Sequence, residues 1–342
     1  MTALLDPGDR VGEALVVDRR LGSGAFGEVY RVRHEHLGLQ AMKVFREVTS
    51  IEGTDELLEE ARLLSTLGHP NIVRLFDAGV VPTSEGQRGY FTMEYVSGGT
   101  LQQLADGYRP ALPVELAVQV IEQLASGLAA AHERTPPILH RDLTLANVMY
   151  GYDGQRLRIR ISDFGLAKSA NPITMLASAQ GTYVFMAPEV LRDFGYSTAS
   201  DVWSIGVIGY LLLTGLLPYD DGTDITAWSK TRYERRPHPP SAFDPRIDEV
   251  LDRIVLAALA PVPRDRTESA VVLAEQLAEW RRTTKTPSER AQELADEAVA
   301  LATEVGSLER AVALMEEAFV LSPDLRLQYW LDVARWRRGV IW

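Results

Sequence analysis

Cysteine is absent from all 342 residues. That excludes disulfide staples, zinc–thiolate centres and cysteine nucleophiles, and it fits a reducing compartment. Positive charge is also scarce: 35 lysines and arginines against 47 aspartates and glutamates leave a formal net charge of −12. A field of that sign repels polyanions, so nucleic acid is not an expected partner. No long hydrophobic run is present. The most apolar stretch, Ile205 to Leu217, is interrupted by glycines and Thr214 and is too short to span a bilayer. The opening residues, Met1 to Pro7, have no basic cluster and no extended apolar segment, so they do not read as a signal peptide. The expectation is a soluble, cytoplasmic protein without a membrane partner. What the chain does have is apolar substance, 46% of its residues, which at this length is ample for a buried core.

Strand signals dominate the first part. Ala14–Leu21 and Glu28–Arg33 flank a glycine-rich loop, Gln40–Phe45 is short and apolar, and Val73–Ala78 and Tyr90–Tyr95 are further candidates. A helix is expected from about Asp55 to Leu67, with Thr54 as its N-cap and Asp55 and Glu56 at the positive end of its dipole. His69-Pro70-Asn71 ends it, and Val80–Gly89, with its Pro, Ser and Gly, reads as a hairpin loop. After Ser97-Gly98-Gly99 the period turns helical. Leu116, Val120, Leu124, Leu128 and Ala131 mark one face of Pro113–His132, and Trp203–Thr214 is apolar nearly all round, as a helix inside a domain is. Strands first and helices after predict an α+β fold in two lobes. A composition shift near Arg281–Pro287 begins a stretch rich in helix formers, with helices expected over Ser288–Glu304, Leu308–Leu321 and Ser322 to about Arg338.

Five short motifs follow one another in order: Gly22-Ser23-Gly24-Ala25-Phe26-Gly27-Glu28-Val29, Ala41-Met42-Lys43, His140-Arg141-Asp142-Leu143-Thr144-Leu145-Ala146-Asn147, Asp163-Phe164-Gly165 and Ala187-Pro188-Glu189. Gly22, Gly24 and Gly27 lack Cβ atoms, so their backbone can lie close over phosphates and offer N–H groups. The strand expected next separates this loop from a dinucleotide fold, which needs a helix there. Val29 stands where the loop presses on a purine ring. Lys43, in an apolar strand, needs anionic partners. ATP phosphates and a helix glutamate fit that need. Glu60, nine residues before His69, faces Lys43 better than Glu59 does, because neighbours on a helix do not share a face. Asp142 can accept or orient the proton of a substrate hydroxyl. Asn147 and Asp163 offer oxygen ligands of the kind Mg2+ prefers, on either side of an expected hairpin, Val148–Ile161.

On these motifs the chain resembles the eukaryotic-type (Hanks-type) protein kinase family and, in its short form, bacterial serine/threonine protein kinases. The resemblance implies a bilobal protein-kinase-like fold over about residues 10–283, with a strand-rich N-lobe to about 96 and a helical C-lobe from about 97, after an N-terminal segment 1–9. Beyond a linker, 284–288, an all-α extension, 289–342, is expected, in which Ala311, Ala318 and Pro323 are similar to the late part of a tetratricopeptide repeat. ATP and Mg2+ are the implied cofactors, and a protein the implied substrate. The implied nucleotide site comprises Gly22, Ser23, Gly24, Ala25, Phe26, Gly27, Val29, Ala41, Lys43, Met93, Glu94, Val96, Met149 and Asp163. Met93 would be the gatekeeper, and the backbones of Glu94 and Val96 would meet adenine. Catalysis would rest on Asp142, Lys43, Glu60 and Asn147, with Thr144 beside them, and metal binding on Asn147 and Asp163. Asp201 would brace the catalytic loop, Arg266 would pair with Glu189, and Leu64, Leu75, His140 and Phe164 would stack as a regulatory spine.

Thr144 departs from the family pattern, which has lysine two residues after the catalytic aspartate. Losing one such electrostatic donor removes on the order of 3 kcal/mol of transition-state stabilisation, about a hundredfold in rate. A second reading therefore stays open: a pseudokinase acting through nucleotide binding and its C-terminal helices. Arg141, with Lys168, would hold a phosphorylated activation loop, in which Thr174, Ser178 and Thr182 are the candidate sites. The aromatic, arginine-rich end from Tyr329 to Trp342 reads either as a capping bundle on the C-lobe or as a docking surface for a protein partner or second protomer.

Overall fold

The computed structural model describes residues 3–24, 27–46, 65–154, 156–164, 182–192, 194–219, 233, 235–284, 287–303 and 306–340. The chain divides into two compact units, Met1–Leu277 and Ala278–Trp342.

Alternating apolar residues build the start of the first unit. Strands β1 (Arg10–Val11), β2 (Leu15–Gly24), β3 (Gly27–His34), β4 (Gly38–Phe45), β5 (Leu75–Thr83) and β6 (Gly86–Glu94) form an antiparallel sheet in the order β1-β2-β3-β4-β6-β5. The register pairs Val29 with Lys43, and Ala41 with Met93, so these side chains share the sheet face that borders a cleft. Their neighbours Tyr30, Met42 and Val44 point the other way. They close a core with Leu4, Leu5, Val11, Leu15, Val17, Val32, Val81 and Tyr90. The expected loop over Val80–Gly89 is mostly strand. β5 runs through Thr83 and β6 begins at Gly86, which leaves Ser84-Glu85 as the turn. Pro82 is tolerated because β5 is the edge strand, where a missing N–H need not break a ladder. The expected helix over Asp55–Leu67 lies outside the described residues up to Leu64.

The helical part includes a three-stranded sheet of β7 (Gly99–Thr100), β8 (Val148–Asp153) and β9 (Arg156–Ile161). Its helices are α1 (Leu101–Asp106), α2 (Val114–His132), α3 (Pro188–Leu191), α4 (Thr198–Thr214), α5 (Glu249–Ala258) and α6 (Ala270–Thr283). α1 and α4 both start at capping boxes, Thr100 with Gln103 and Ser197 with Ser200. Among the described residues, α2 alone is long and apolar enough to cross a membrane. Its apolar residues are instead packed inside the unit: Val120, Ile121, Leu124 and Leu128 are buried, and Ile121 meets α4 at Gly209. α4 has no polar face because it is enclosed on all sides, from Trp203 to Leu213.

The second unit contains α7 (Pro287–Ala302), α8 (Leu308–Leu321) and α9 (Leu325–Trp336). Ala291, Ala295, Ala298 and Ala302 form a small-residue stripe along α7, and Ala311, Met315, Ala318, Phe319, Val333 and Trp336 close the core around it.

Candidate active site

The cleft in the first unit has a volume of about 620 Å³. That lies within the range of about 300–1,000 Å³ usual for small-molecule sites. Gly22, Ser23, Gly24, Gly27, Val29, Ala41, Lys43, Met93, Glu94, Val96, Met149, Asn147 and Asp163 all line it. Ala25 and Phe26 lie outside the described residues, as do Glu60, Leu64, Lys168, Thr174 and Ser178. Leu21, Val73, Tyr95, Ser97, Gln103 and Ser162 also line the cleft and were missed from sequence. Leu21 and Ser162 directly precede motifs and could have been found by adjacency. Val73 and Gln103 arrive only through the fold.

The glycines differ in what they are for. A Cβ at Gly27 would sit 2.2 Å from the Val44 carbonyl oxygen, so strand pairing itself requires glycine there. Among the described residues, a Cβ at Gly22 or Gly24 would meet no atom within 4 Å. At those two positions the described packing imposes nothing, whereas the sequence treats all three alike.

β4 presents Lys43 to the cleft, and its Nζ lies 2.9 Å from Asp163 Oδ1. The contact is ionic rather than a directed hydrogen bond, and that buried oxygen accepts no hydrogen bond among the described residues. Asp163 has φ +60° and Arg141 φ +69°, a region non-glycine residues rarely adopt unless the surroundings enforce it. For Arg141 the enforcement is visible. Asp201, in the first turn of α4, accepts the Arg141 N–H at 3.0 Å and the His140 N–H at 2.9 Å. Its Oδ2 also meets His132 Nε2 at 2.8 Å. His140 carries the connection onward. Its Nε2 donates to the Ser162 carbonyl at 2.8 Å, its Nδ1 accepts the Asp142 N–H at 3.3 Å, and its ring lies 4.8 Å from that of Phe164. Phe164 and Leu75 line one small pocket behind the cleft.

Asp142 is held by Asn147, whose Nδ2 donates to its carbonyl at 2.7 Å and to Oδ2 at 3.1 Å. Asn147 Oδ1 is left for another ligand. Asp142 Oδ1 is buried and unpartnered among the described residues. Burial above all, helped by the Asp163 carboxylate, pushes the Asp142 carboxyl above its ordinary value, against the pull of His140, Asn147 and Lys43. Thr144 is 7% exposed, and its carbonyl accepts the Asn147 N–H at 3.2 Å. It lies under the loop and is not part of the cleft lining. Arg141 sets its guanidinium 5.9 Å from the Tyr196 ring, and Thr182 opens the 3-10 turn Thr182–Phe185.

Behind the site, Arg266 forks onto Glu189 at 2.8 and 2.9 Å. It also donates to the carbonyls of Ala260 and Ala199 and lies 5.0 Å from the Trp203 ring. Burial would raise the Glu189 carboxyl, but Arg266 outweighs it and holds the group below its ordinary value.

Known proteins share this arrangement. Residues 15–298 match the family model described as the protein kinase domain. The serine/threonine-protein kinase Pkn1 of Myxococcus xanthus is 34% identical over 277 residues, 79% of this chain and 38% of that protein. PknB of Mycobacterium leprae is 31% identical over 264 residues, 75% of this chain and 41% of its own. This chain thus spans about two fifths of the length of these relatives. The crystal structure of the Mycobacterium tuberculosis PknI kinase domain superposes with a TM-score of 0.59 at 28% identity, covering 80% of this chain and 99% of that one. The chain belongs to the protein kinase family, whose members use ATP and Mg2+.

Proposed function

We propose that the protein is a serine/threonine protein kinase that transfers the γ-phosphoryl group of Mg-ATP to protein hydroxyls and phosphorylates its own activation loop. The observation behind this reading is the gathering of Lys43, Asp142, Asn147 and Asp163, with Asp142 Oδ1 buried and accepting no hydrogen bond among the described residues and Asp163 Oδ1 paired with Lys43 Nζ at 2.9 Å. A scaffold has no chemical need of that set.

Lys43 and the backbone N–H groups of the glycine loop would hold phosphates. The Glu94 N–H is committed to the Arg74 carbonyl at 2.8 Å, so Glu94 would meet adenine through its own carbonyl. Asn147 Oδ1 and the Asp163 carboxylate would hold Mg2+, which when bound neutralises charge on the phosphates. No cluster of three or more acidic or imidazole groups able to hold a metal occurs among the described residues. That suits Mg2+, which takes one or two carboxylates and completes its shell with water and phosphate oxygens. Asp142, raised towards the range of a useful base, would orient or accept the acceptor's proton.

The stretch Gly181–Met186 before Ala187-Pro188-Glu189 resembles the serine/threonine type, and the relatives Pkn1 and PknB are serine/threonine-protein kinases. The C-terminal helices would serve a protein partner or second protomer. Buried, uncharged Thr144 favours the rival reading of a pseudokinase.

Radiolabel transfer from ATP with Mg2+, comparing the protein with Asp142→Asn and using a generic basic protein as acceptor, separates the two. The expected result is label on serine and threonine, with mass spectrometry finding phosphate at Thr174 or Ser178, and all of it lost in the variant. Folded protein that transfers nothing above the variant's level would sink the kinase reading.

A further inference from the structure

Glu28 follows Gly27 directly, yet its side chain is fully buried. It lies on the sheet face opposite the cleft, since its neighbour Val29 lines the cleft and successive strand residues alternate. Its Oε2 accepts the Leu4 N–H at 3.1 Å and the Tyr30 hydroxyl. Its Oε1 accepts Arg46 Nη2 at 2.5 Å and Arg20 Nη1 at 3.5 Å. Arg46 Nη2 also reaches Ser23 Oγ, the residue of β2 paired with Glu28, at 3.4 Å. Arg20 belongs to β2, which enters the loop, and Glu28 to β3, which leaves it. One carboxylate therefore connects both sides of the loop with residues 3–6.

That N-terminal segment is a fitted strap. The Leu5 N–H donates to the Tyr30 hydroxyl at 3.0 Å, Ser84 N–H donates to the Leu4 carbonyl at 3.2 Å, and Ser84 Oγ donates to the Ala3 carbonyl at 3.1 Å. Leu4 is 2% and Leu5 5% exposed, inside the core on that face. Burial first, and then the adjacent carboxylate, push the Tyr30 hydroxyl up to about 12, so it stays protonated and can donate to Glu28. If stability alone were served, apolar side chains would fill this space with no desolvation penalty. A carboxylate adds directed links to two arginines, a tyrosine and a backbone amide.

We propose that Glu28 is a positioning residue for the glycine motif and that docking of the strap, Ala3–Asp6, sets how firmly β2 and β3 hold Gly22–Gly24 and Gly27 against ATP. The proposal rests on the kinase reading above. The strap lies on the far side of the sheet from the nucleotide, so its effect must pass through Glu28, Arg20 and Arg46.

The test uses the full chain and a fluorescent ATP analogue, with transfer kinetics alongside. Leu4→Asp places a charge among buried leucines and lifts the strap while leaving the cleft untouched. Its Kd and KM for nucleotide should rise roughly tenfold, as expected for lost charge-assisted hydrogen bonds. Its kcat should stay within about twofold, the signature of lost ground-state binding. Hydrogen exchange over residues 21–29 should speed up. Glu28→Gln should raise Kd in the same way, because the amide keeps the shape but weakens both guanidinium contacts. Leu4→Ala gives the answer if Leu4→Asp does not fold. A folded strap variant with unchanged Kd and unchanged exchange would overturn this inference alone. Wild-type protein that binds no ATP would overturn the kinase reading, and this inference with it.

Discussion

Two pairs of carboxylates, Asp201 buried and the other three half-buried, lie in the first unit. Around Asp201 and Glu189 each oxygen has a donor: two backbone amides and His132 on one, Arg266 and Ser200 on the other. Asp142, by contrast, keeps one buried oxygen that accepts no hydrogen bond among the described residues, and Asp163 Oδ1 has only an ion pair, with Lys43, among them. Asp163 sits on strained backbone, and the Asp142 carboxyl is pushed up. The first pair is finished as a structure and needs nothing more. The second is stabilised only in part by its own protein, as expected of groups meant to receive a ligand. Saturation, more than burial or charge, separates the brace from the site.

Breaking the saturated pair should have the largest effect on stability. Arg266→Ala leaves Glu189 buried without its partner and should lower unfolding free energy by about 3–5 kcal/mol in urea titration. The pH dependence carries its own check. Glu189 is held below its ordinary 4.5, so its contribution is complete above that value and is lost as pH falls through the lower folded value. The variant should lose this acid sensitivity. An equally steep acid limb would mean that another carboxylate is responsible.

The same contrast divides the glycine loop. Gly27→Ala must displace the Val44 carbonyl and should cost about 1–3 kcal/mol, while Gly24→Ala should stay within about 0.5 kcal/mol. Thermal melts of both variants give the answer, and equal losses would contradict the distinction.

One further effect has the opposite sign. Asp142 has a folded value above its ordinary 3.8, so around neutral pH its charge opposes folding. Asp142→Asn removes that charge and keeps an acceptor for Asn147. It should raise stability by about 0.5–2 kcal/mol while abolishing transfer. A calorimetric Tm at or below that of the wild type would show that the site is not strained in the sense argued above.

Much of the cleft was legible because its chemistry is written in contiguous words. Asp142 and Asn147 stand five residues apart on one loop, and their hydrogen bonds are local. The strap was not legible. Leu4 and Leu5 are too few to show a period, and their partners Glu28, Tyr30 and Ser84 are distant in sequence. The strand character of Val80–Gly89 was hidden for a related reason: turn-forming residues there sit in an edge strand, which tolerates them. Thr144 was flagged as a departure, but its burial is decided by the loop's three-dimensional path.

Arg160 holds Glu94, the last residue of β6, at 2.9 Å and Asp153 at 3.1 Å. Its neighbour Ile161 donates its N–H to the Asn71 carbonyl and accepts the Val73 N–H, each at 2.9 Å. Two successive residues of β9 thus fasten both places where the chain passes into and out of the upper sheet. The tie lies beside Glu94 and Val73, both of which line the cleft. In the kinase reading proposed above, the purine end of the cleft is thereby its fastened end.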